Sequence, residues 1–184
     1  MDKSNYTDKE LLAMLRNPEQ RNYAFNLLVR QYQERLYWHI RKIVISHDDA
    51  DDLVQNTFLK ALENFDTFRE EAQLYTWLYR IATNEALTLL RKRRNRFFIP
   101  MVDVENQLSK TLESDEYFDG NEMQRKLQRA ILKLPEKQRI VFNMRYFDEM
   151  KYEEISSILG TSVGALKASY HHAAEKIEKY LKND

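Results

Sequence analysis

The chain has 184 residues, of which 43% are hydrophobic and 32% charged, with three glycines, three prolines and a formal net charge of zero. This length allows one domain or two small ones, and the scarcity of helix breakers favours an all-α fold. The lack of cysteine excludes disulfides, thiolate nucleophiles and cysteine-ligated zinc, and no apolar run matches a membrane span or signal peptide, so we expect a cytoplasmic protein.

Apolar periodicity predicts four helices in the first half of the chain. Thr7 and Glu10 form a capping-box pattern at the start of a short helix that Asn17-Pro18 ends. The long second helix carries an apolar stripe at three- and four-residue intervals, namely Phe25, Leu28, Val29, Tyr32, Leu36, Ile40 and Ile43. Ser46 caps the third helix, whose acidic first turn suits the helix dipole. The stretch QLYTWLYRIATNEALTLLRKRRNR predicts the fourth, which ends in a basic run.

Residues 97–120 differ in composition from both flanking regions and are predicted to form a linker. They contain Pro100, Gly120, six acidic residues and one lysine, without a sustained period. The formal charge is +2 for residues 1–96, −5 for residues 97–120 and +3 for residues 121–184. We therefore predict two small helical domains, 1–96 and 121–184, joined by a flexible acidic linker.

The second domain is predicted to end in a helix-turn-helix. In YEEISSILGTSVGALKASYHHA an apolar helical pattern stops at Gly160, which can adopt the left-handed conformation that ends a helix. The pattern restarts after Thr161 and Ser162, residue types that cap helices. Two helices joined by such a turn are typical of DNA-binding proteins whose second helix enters the major groove. A helical hairpin without a ligand has the same pattern and remains the alternative.

The second helix of this pair favours DNA binding through the face opposite its apolar stripe. The stripe comprises Val163, Leu166, Tyr170, Ala174, Ile177 and Leu181. The opposite face comprises Gly164, Ala165, Lys167, Ala168, His171 and His172. Small residues allow the helix backbone to approach a groove, and lysine and histidine can bond base edges or phosphates.

Four stretches of the sequence resemble bacterial sigma factors of the extracytoplasmic function (ECF) subfamily of the sigma-70 family. They are DADDLVQNTFLKAL, YTWLYRIATNEALTLLRKRR, LPEKQRIVFNMRYF and YEEISSILGTSVGALK, and the resemblance extends from Ala24 to Ile177 apart from the linker. It implies a protein that is not an enzyme and needs no cofactor, metal or small-molecule substrate. It implies binding to core RNA polymerase and promoter DNA, duplex and single-stranded, and masking by an anti-sigma factor without membrane insertion.

The resemblance also assigns roles to residues of the first domain. The docking face for polymerase is expected at Asp52, Gln55, Asn56 and Leu59. The minus-10 group is expected at Lys60, Asn64, Phe68, Arg69, Arg80 and Asn84. The phosphate-binding run is expected at Arg91, Lys92, Arg93 and Arg94. Asn56 replaces a usual acid and Thr88 a usual aspartate, and solvated helix faces remain the alternatives. Periodicity predicts Phe65 and Trp77 to be buried, with Phe68 and Tyr75 more accessible.

The family's minus-35 reading positions fall on the last helix of this chain. They are Gly164, Lys167, Ala168, Ser169, His171 and His172. Relatives often carry arginine here, whose planar fork binds guanine more rigidly than lysine or histidine, so weaker or altered contacts are expected. With a histidine pKa ordinarily near 6.5, neighbouring phosphates would favour the charged form, so DNA affinity is hypothesised to rise as pH falls. Neutral surface histidines remain the alternative.

Other functional classes are less well supported. No histidine has a glutamate three residues before it, as a di-iron bundle requires, and neither a nucleophile elbow nor a phosphate-binding glycine loop occurs. The acidic cluster at 48–52 lacks the spacing and glycine of a calcium loop, so we predict a capped helix start rather than a metal site. An operator-binding regulator and a structural helical adaptor remain alternatives. The linker either tethers the domains or mimics nucleic acid in a basic channel.

Overall fold

The computed structural model describes residues 6–68, 73–97, 108, 110 and 122–183. Among these residues it contains α-helices and no β-strand, which confirms the all-α prediction. The helices are α1 (Asp8–Arg16), α2 (Arg21–Val44), α3 (His47–Asn64), α4 (Leu74–Phe97), α5 (Glu122–Leu132), α6 (Glu136–Tyr146), α7 (Tyr152–Leu159) and α8 (Val163–Asn183). A 3₁₀ turn, Phe65–Thr67, follows α3. Of the predicted linker, the described residues are Phe97, Leu108 and Lys110; all three are helical, and Leu108 is buried in the core. The rest of the linker lies outside the described residues, so its flexibility stays a prediction.

The predicted helix starts are confirmed by their hydrogen bonds. The Glu10 amide donates to Thr7 Oγ1 at 3.3 Å, and the Thr7 amide donates to Glu10 Oε2 at 2.7 Å, which completes the capping box of α1. The Asp49 amide donates to Ser46 Oγ at 3.3 Å at the start of α3. These side chains satisfy backbone donors that have no partner within the helix.

The turn between α7 and α8 also forms as predicted. Gly160 lies at φ 64°, in the left-handed region, and its amide donates to the Ser156 carbonyl to end α7. Ser162 then caps α8, since its hydroxyl accepts from the Ala165 amide at 3.4 Å and its carbonyl accepts from the Leu166 amide at 3.0 Å. The helix-turn-helix geometry therefore follows from local sequence.

Helix α2 lies at the centre of the first half and packs against α1, α3 and α4. Its buried Leu28, Leu36 and Ile40 meet Phe58 of α3 and Leu78 of α4 in the core. Burial of one such side chain contributes about 1.5–3 kcal/mol relative to leaving it exposed.

A small apolar cluster holds α5, α6 and α8 together in the second half. It comprises Ala130, Ile131, Leu134, Phe142, Ala173 and Ile177. Ala173 is fully buried, whereas Ala174, which was assigned to the apolar stripe, is only partly so. The prediction for Ala174 is therefore wrong: Ala173, one residue earlier on α8, packs in the cluster with α5 and α6 instead.

The two halves of the molecule share a continuous apolar core. Met144 of α6, Ile155 and Ile158 of α7, and Leu166 of α8 belong to the same cluster as the core residues of α2 and α4. Helix α4 packs against α7, and α2 packs against α6. The sequence pattern predicts two domains but does not predict this packing between them. None of the helices within the described ranges is long and apolar enough to cross a membrane.

Candidate functional site

The predicted docking face lies on the outer side of α3. Asp52, Gln55, Asn56 and Leu59 are all exposed, while Leu53 and Phe58 of the same helix face the core. Leu59 is 56% exposed, so this face includes one large apolar side chain among polar ones. The structure therefore brings these four residues together on one accessible surface, with the apolar Leu59 at its C-terminal end.

The minus-10 group gathers where the C-terminal end of α3 meets α4. Lys60 Nζ lies 2.5 Å from Glu85 Oε1, and the Asn64 side-chain amide donates to the Lys60 carbonyl at 2.8 Å. Asn84 is exposed on α4, next to Glu85 in sequence. Arg69 lies outside the described residues. Lys60, Asn64 and Glu85 thus form a hydrogen-bonded cluster between the two helices, and Asn84 is exposed on the same helix as Glu85.

The expected accessibility of Phe68 is wrong. Its side chain is only 8% exposed, and its ring stacks on Phe65 at 6.3 Å and lies 4.9 Å from Trp77. The chain folds back after the 3₁₀ turn, where the Phe68 amide donates to the Phe65 carbonyl, and this directs the ring into the core. Phe65 is buried as predicted, whereas Trp77 and Tyr75 are both half-buried.

Arg80 is exposed on α4 but is already bound to the second half of the molecule. Its guanidinium donates to the Ser157 carbonyl and, at 3.2 Å, to the Ser157 hydroxyl on α7. The residue is therefore positioned by a contact that is unrelated to nucleic acid.

The basic residues at the end of α4 differ in their contacts. Arg91 and Lys92 are exposed. Arg93 instead forms an ion pair with Asp49 at 2.6 Å, at the start of α3. The side chain of Arg94 lies outside the described residues. Two of the four predicted phosphate-binding residues, Arg91 and Lys92, are thus exposed on α4, and the helix continues through this run.

The predicted reading helix α8 presents its residues to solvent. Gly164, Lys167, Ala168, His171 and His172 are exposed, and Ser169 is half-buried. In a separate contact, the Nζ of Lys167 lies 5.8 Å from the centre of the Tyr152 ring, and the Arg145 guanidinium lies 5.4 Å from the same ring. Two cations therefore lie near one aromatic ring beside the reading helix.

Both histidines of α8 lie near the same carboxylate. Nε2 of His171 is 3.5 Å from Glu175 Oε1, and Nδ1 of His172 is 3.6 Å from Glu175 Oε2. Their exposed fractions are 71% and 59%. The carboxylate provides a local counter-charge, and pH-dependent DNA affinity stays a prediction.

A buried polar cluster between the two halves was not predicted from the sequence. His39 Nδ1 lies 2.7 Å from Asp148 Oδ2, His39 Nε2 lies 2.9 Å from Thr83 Oγ1, and Lys42 Nζ lies 2.6 Å from Asp148 Oδ1. Burial alone would raise the pKa of Asp148, but the charges and hydrogen bonds of His39 and Lys42 outweigh burial and hold that pKa below its usual range. The one sign of this cluster in the local sequence is His39, which is next to Ile40 of the apolar stripe of α2.

A shallow surface groove lies beside the docking face, between α2 and the start of α3. It is lined by Gln33, Glu34, Tyr37, His47 and Asp51. The Tyr37 hydroxyl is 2.7 Å from His47 Nδ1. The two carboxylates and the aromatic ring give the groove an acidic, amphipathic character.

Comparison with known proteins matches both halves to one family. The family model for Sigma-70 region 2 matches residues 28–96, and the model for Sigma-70 region 4 matches residues 124–177. The ECF RNA polymerase sigma factor SigW of Bacillus subtilis (strain 168) is 31% identical over 169 residues, which cover 87% of this chain and 90% of SigW.

Two solved structures resemble the whole chain. CnrH in complex with the cytosolic domain of CnrY has a TM-score of 0.70 and 26% identity, covering 96% of this chain and 98% of CnrH. The sigma factor RpoE of Bartonella quintana, in complex with the anti-sigma factor NepR, has a TM-score of 0.66 and 22% identity, covering 87% of this chain and 98% of RpoE. With the region 2 and region 4 matches and the similarity to SigW, these findings show that the chain belongs to the ECF subfamily of the sigma-70 family.

Proposed function

We propose that the chain directs core RNA polymerase to specific promoters and helps to open their DNA, using the three exposed surfaces described above. The proposal rests on the observation that one chain combines the two sigma-70 regions with an exposed docking face and an exposed reading helix. Its contribution is binding energy rather than bond chemistry, so the chain is a transcription initiation factor and not an enzyme. We place it in the cytoplasm, where sigma factors act.

The docking face on α3 is proposed to bind core polymerase. Leu59 supplies exposed apolar surface, and Asp52, Gln55 and Asn56 supply polar groups around it. Protein interfaces commonly combine an apolar centre with a polar rim. The acidic groove beside this face extends the surface that a basic partner segment can contact.

The cluster between α3 and α4 is proposed to hold an unstacked base of the minus-10 element. Unstacking costs a few kcal/mol per base, which stacking and hydrogen bonds in a pocket can offset. Lys60, Asn64 and Asn84 offer exposed polar groups for a base edge and backbone. Because Phe68 is buried, we assign it the role of supporting the pocket wall from inside, and the exposed part of Trp77, whose ring lies 4.9 Å from the Phe68 ring, is better placed for stacking.

Helix α8 is proposed to bind the minus-35 element in the major groove. Gly164 and Ala168 lack bulk on the exposed face, so the helix backbone can approach the base edges closely. Lys167 is the cation in the middle of this face and is the proposed base-reading residue. Residues 97–120 are proposed to act as a tether between the two DNA-binding halves.

We further infer regulation by an anti-sigma protein. RpoE and CnrH were each solved in complex with a second protein, NepR or the cytosolic domain of CnrY. The exposed docking face and reading helix of this chain are surfaces that such a partner can cover.

Copurification with core RNA polymerase tests the proposed function. We expect a stoichiometric complex that survives gel filtration in the absence of DNA, because the docking face does not depend on DNA. An operator-binding regulator or a structural adaptor would elute apart from polymerase, and that result would contradict the proposal.

A further inference from the structure

An ion pair between α3 and α4 lies within the group of residues assigned to the minus-10 element. Nζ of Lys60 on α3 is 2.5 Å from Oε1 of Glu85 on α4. The Lys60 side chain is 49% exposed and the Glu85 side chain 19%, so the carboxylate is the more buried partner. The family resemblance assigns Lys60 to DNA and assigns no role to Glu85. A negative charge therefore lies at a surface that is expected to meet a polyanion.

Other groups that can bind a base lie beside this ion pair. The Asn64 side-chain amide donates to the Lys60 carbonyl at 2.8 Å, which fixes the amide one turn further along α3. Asn84 directly precedes Glu85 on α4 and is exposed. Trp77 is seven residues before Asn84, and residues two helical turns apart lie on the same face. Glu85 thus holds the Lys60 ammonium against α4, the helix that carries Asn84 and Trp77.

A lysine without a counter-charge distinguishes poorly between a base and the DNA backbone. Its ammonium attracts any phosphate more strongly than a neutral base edge, because the phosphate carries a full negative charge. The flexible four-carbon stem lets the ammonium follow that phosphate. Such an ammonium therefore adds affinity for every strand and little preference for one sequence.

The Glu85 carboxylate changes both properties of Lys60. At 2.5 Å it offsets much of the attraction between the ammonium and a phosphate, and it repels the phosphate itself. It also restricts the position of the ammonium. An ammonium has three N–H donors, and Glu85 accepts from one of them. The remaining donors can bond to neutral acceptors on a base edge, so the pair offers directed hydrogen bonds with no net charge.

We propose that Glu85 is a specificity-determining residue of the minus-10 site, which positions Lys60 to read a base edge and keeps it from binding the phosphates of unselected strands. The inference rests on the proposed function, because it requires an unstacked base to be held between α3 and α4. Without the charge of Glu85, Lys60 becomes a phosphate-binding cation. Unselected strands then bind more tightly, and preference is lost at the base that Lys60 reads.

Binding of single-stranded DNA to the complex of the full chain with core RNA polymerase tests this role. The probe is a labelled pool of strands with a short randomised segment. Fluorescence anisotropy gives the affinity of the whole pool, and sequencing of the bound fraction gives the base preference at each position. For Glu85→Gln, which keeps the shape of the side chain and removes its charge, we expect pool affinity to rise about threefold or more. Preference should fall at one position, and the slope of log affinity against log salt should steepen by up to about 0.7, the value for one further phosphate contact on a single strand.

Two further variants separate this role from a general effect of charge. Glu63→Gln removes the same charge from an exposed side chain three residues after Lys60 on α3, and as the matched control it should leave base preference unchanged. Lys60→Met should lose preference at the same position as Glu85→Gln but without a rise in pool affinity. Adding Glu85→Gln to Lys60→Met should change base preference no further, because the two side chains act as a pair. Circular dichroism establishes that each variant is folded.

The results that would overturn the role differ from those that would overturn the proposed function. Preference retained at every position in Glu85→Gln would overturn the role. An equal loss of preference on adding Glu85→Gln to Lys60→Met would also overturn it, since Glu85 would then act without Lys60. If the parent complex itself shows no preference among single strands, the proposed minus-10 function fails and the role of Glu85 fails with it, so the two failures are distinguishable.

Discussion

Lys167 is the residue on α8 that best separates base reading from phosphate binding. It is exposed in the middle of the reading face, and its Nζ lies near the Tyr152 ring rather than in an ion pair with a carboxylate. A side chain that reads one base affects one promoter position, whereas a phosphate contact affects all sequences equally.

We predict that Lys167→Ala relaxes base preference at one position of the minus-35 element, with a loss of about 1–3 kcal/mol for the preferred base. Binding of the polymerase complex to promoters varied one position at a time measures this. Lys179→Ala, an exposed lysine farther along α8, is the control. Uniform weakening on every promoter would assign Lys167 to phosphate instead.

Gln55 tests the docking face in the same manner. Its side chain is exposed on α3, so Gln55→Ala should lower affinity for core polymerase by about 1–2 kcal/mol without loss of stability. Titration of labelled chain with core polymerase measures the affinity, and Gln20→Ala, at an exposed glutamine just before α2, is the control. Unchanged affinity for Gln55→Ala would remove this residue from the interface.

At the scale of single elements, helix boundaries and turns follow from local sequence. Thr7, Ser46, Gly160 and Ser162 each occupy the cap position that their chemistry predicts, because a cap depends on residues only a few positions apart. The burial of Phe68, by contrast, cannot be predicted from residues a few positions away. A helical period cannot be extended through a 3₁₀ turn, and burial of the ring depends on contacts with α4 that no local pattern reveals.

Two glycines at the α7–α8 turn provide a matched test of this element. A Cβ added at either position would meet no atom within 4 Å, but only Gly160 has a positive φ, of 64°. We predict that Gly160→Ala destabilises the fold by about 1 kcal/mol through backbone strain, while Gly164→Ala, inside α8, stabilises it by up to about 1 kcal/mol. Urea unfolding measures both. Equal effects of the two substitutions would contradict the strain argument.

At the scale of the whole molecule, the packing of the two halves was beyond sequence reasoning. The periodicity of α2 and α4 identifies which side chains are buried but not which helix covers them. Asp148 and His39 are 109 positions apart, and neither lies in a motif. The residues that the family resemblance assigns to polymerase and minus-35 DNA lie on exposed faces of α3 and α8, yet the resemblance gave no indication that Arg80 would be bound by α7.

The buried polar cluster of His39, Lys42 and Asp148 also predicts how acid affects stability. The pKa of Asp148 is lower in the folded chain than in water, so its contribution to stability is complete above the ordinary aspartate pKa and is lost as pH falls through the lowered value. We predict that the stability difference between the parent chain and Asp148→Asn is constant from about pH 5 to 6 and shrinks below about pH 4. Urea unfolding across this range measures it. A difference that grows in acid would contradict the assigned direction of the shift.

Run-off transcription with purified core RNA polymerase tests the central claim most directly. Core polymerase alone, and core polymerase with the added chain, are presented with a library of promoter fragments, and the transcripts are sequenced. We predict that the chain confers defined start sites preceded by shared sequences near positions −10 and −35. Transcripts whose start sites are the same with and without the chain would contradict its role as a sigma factor.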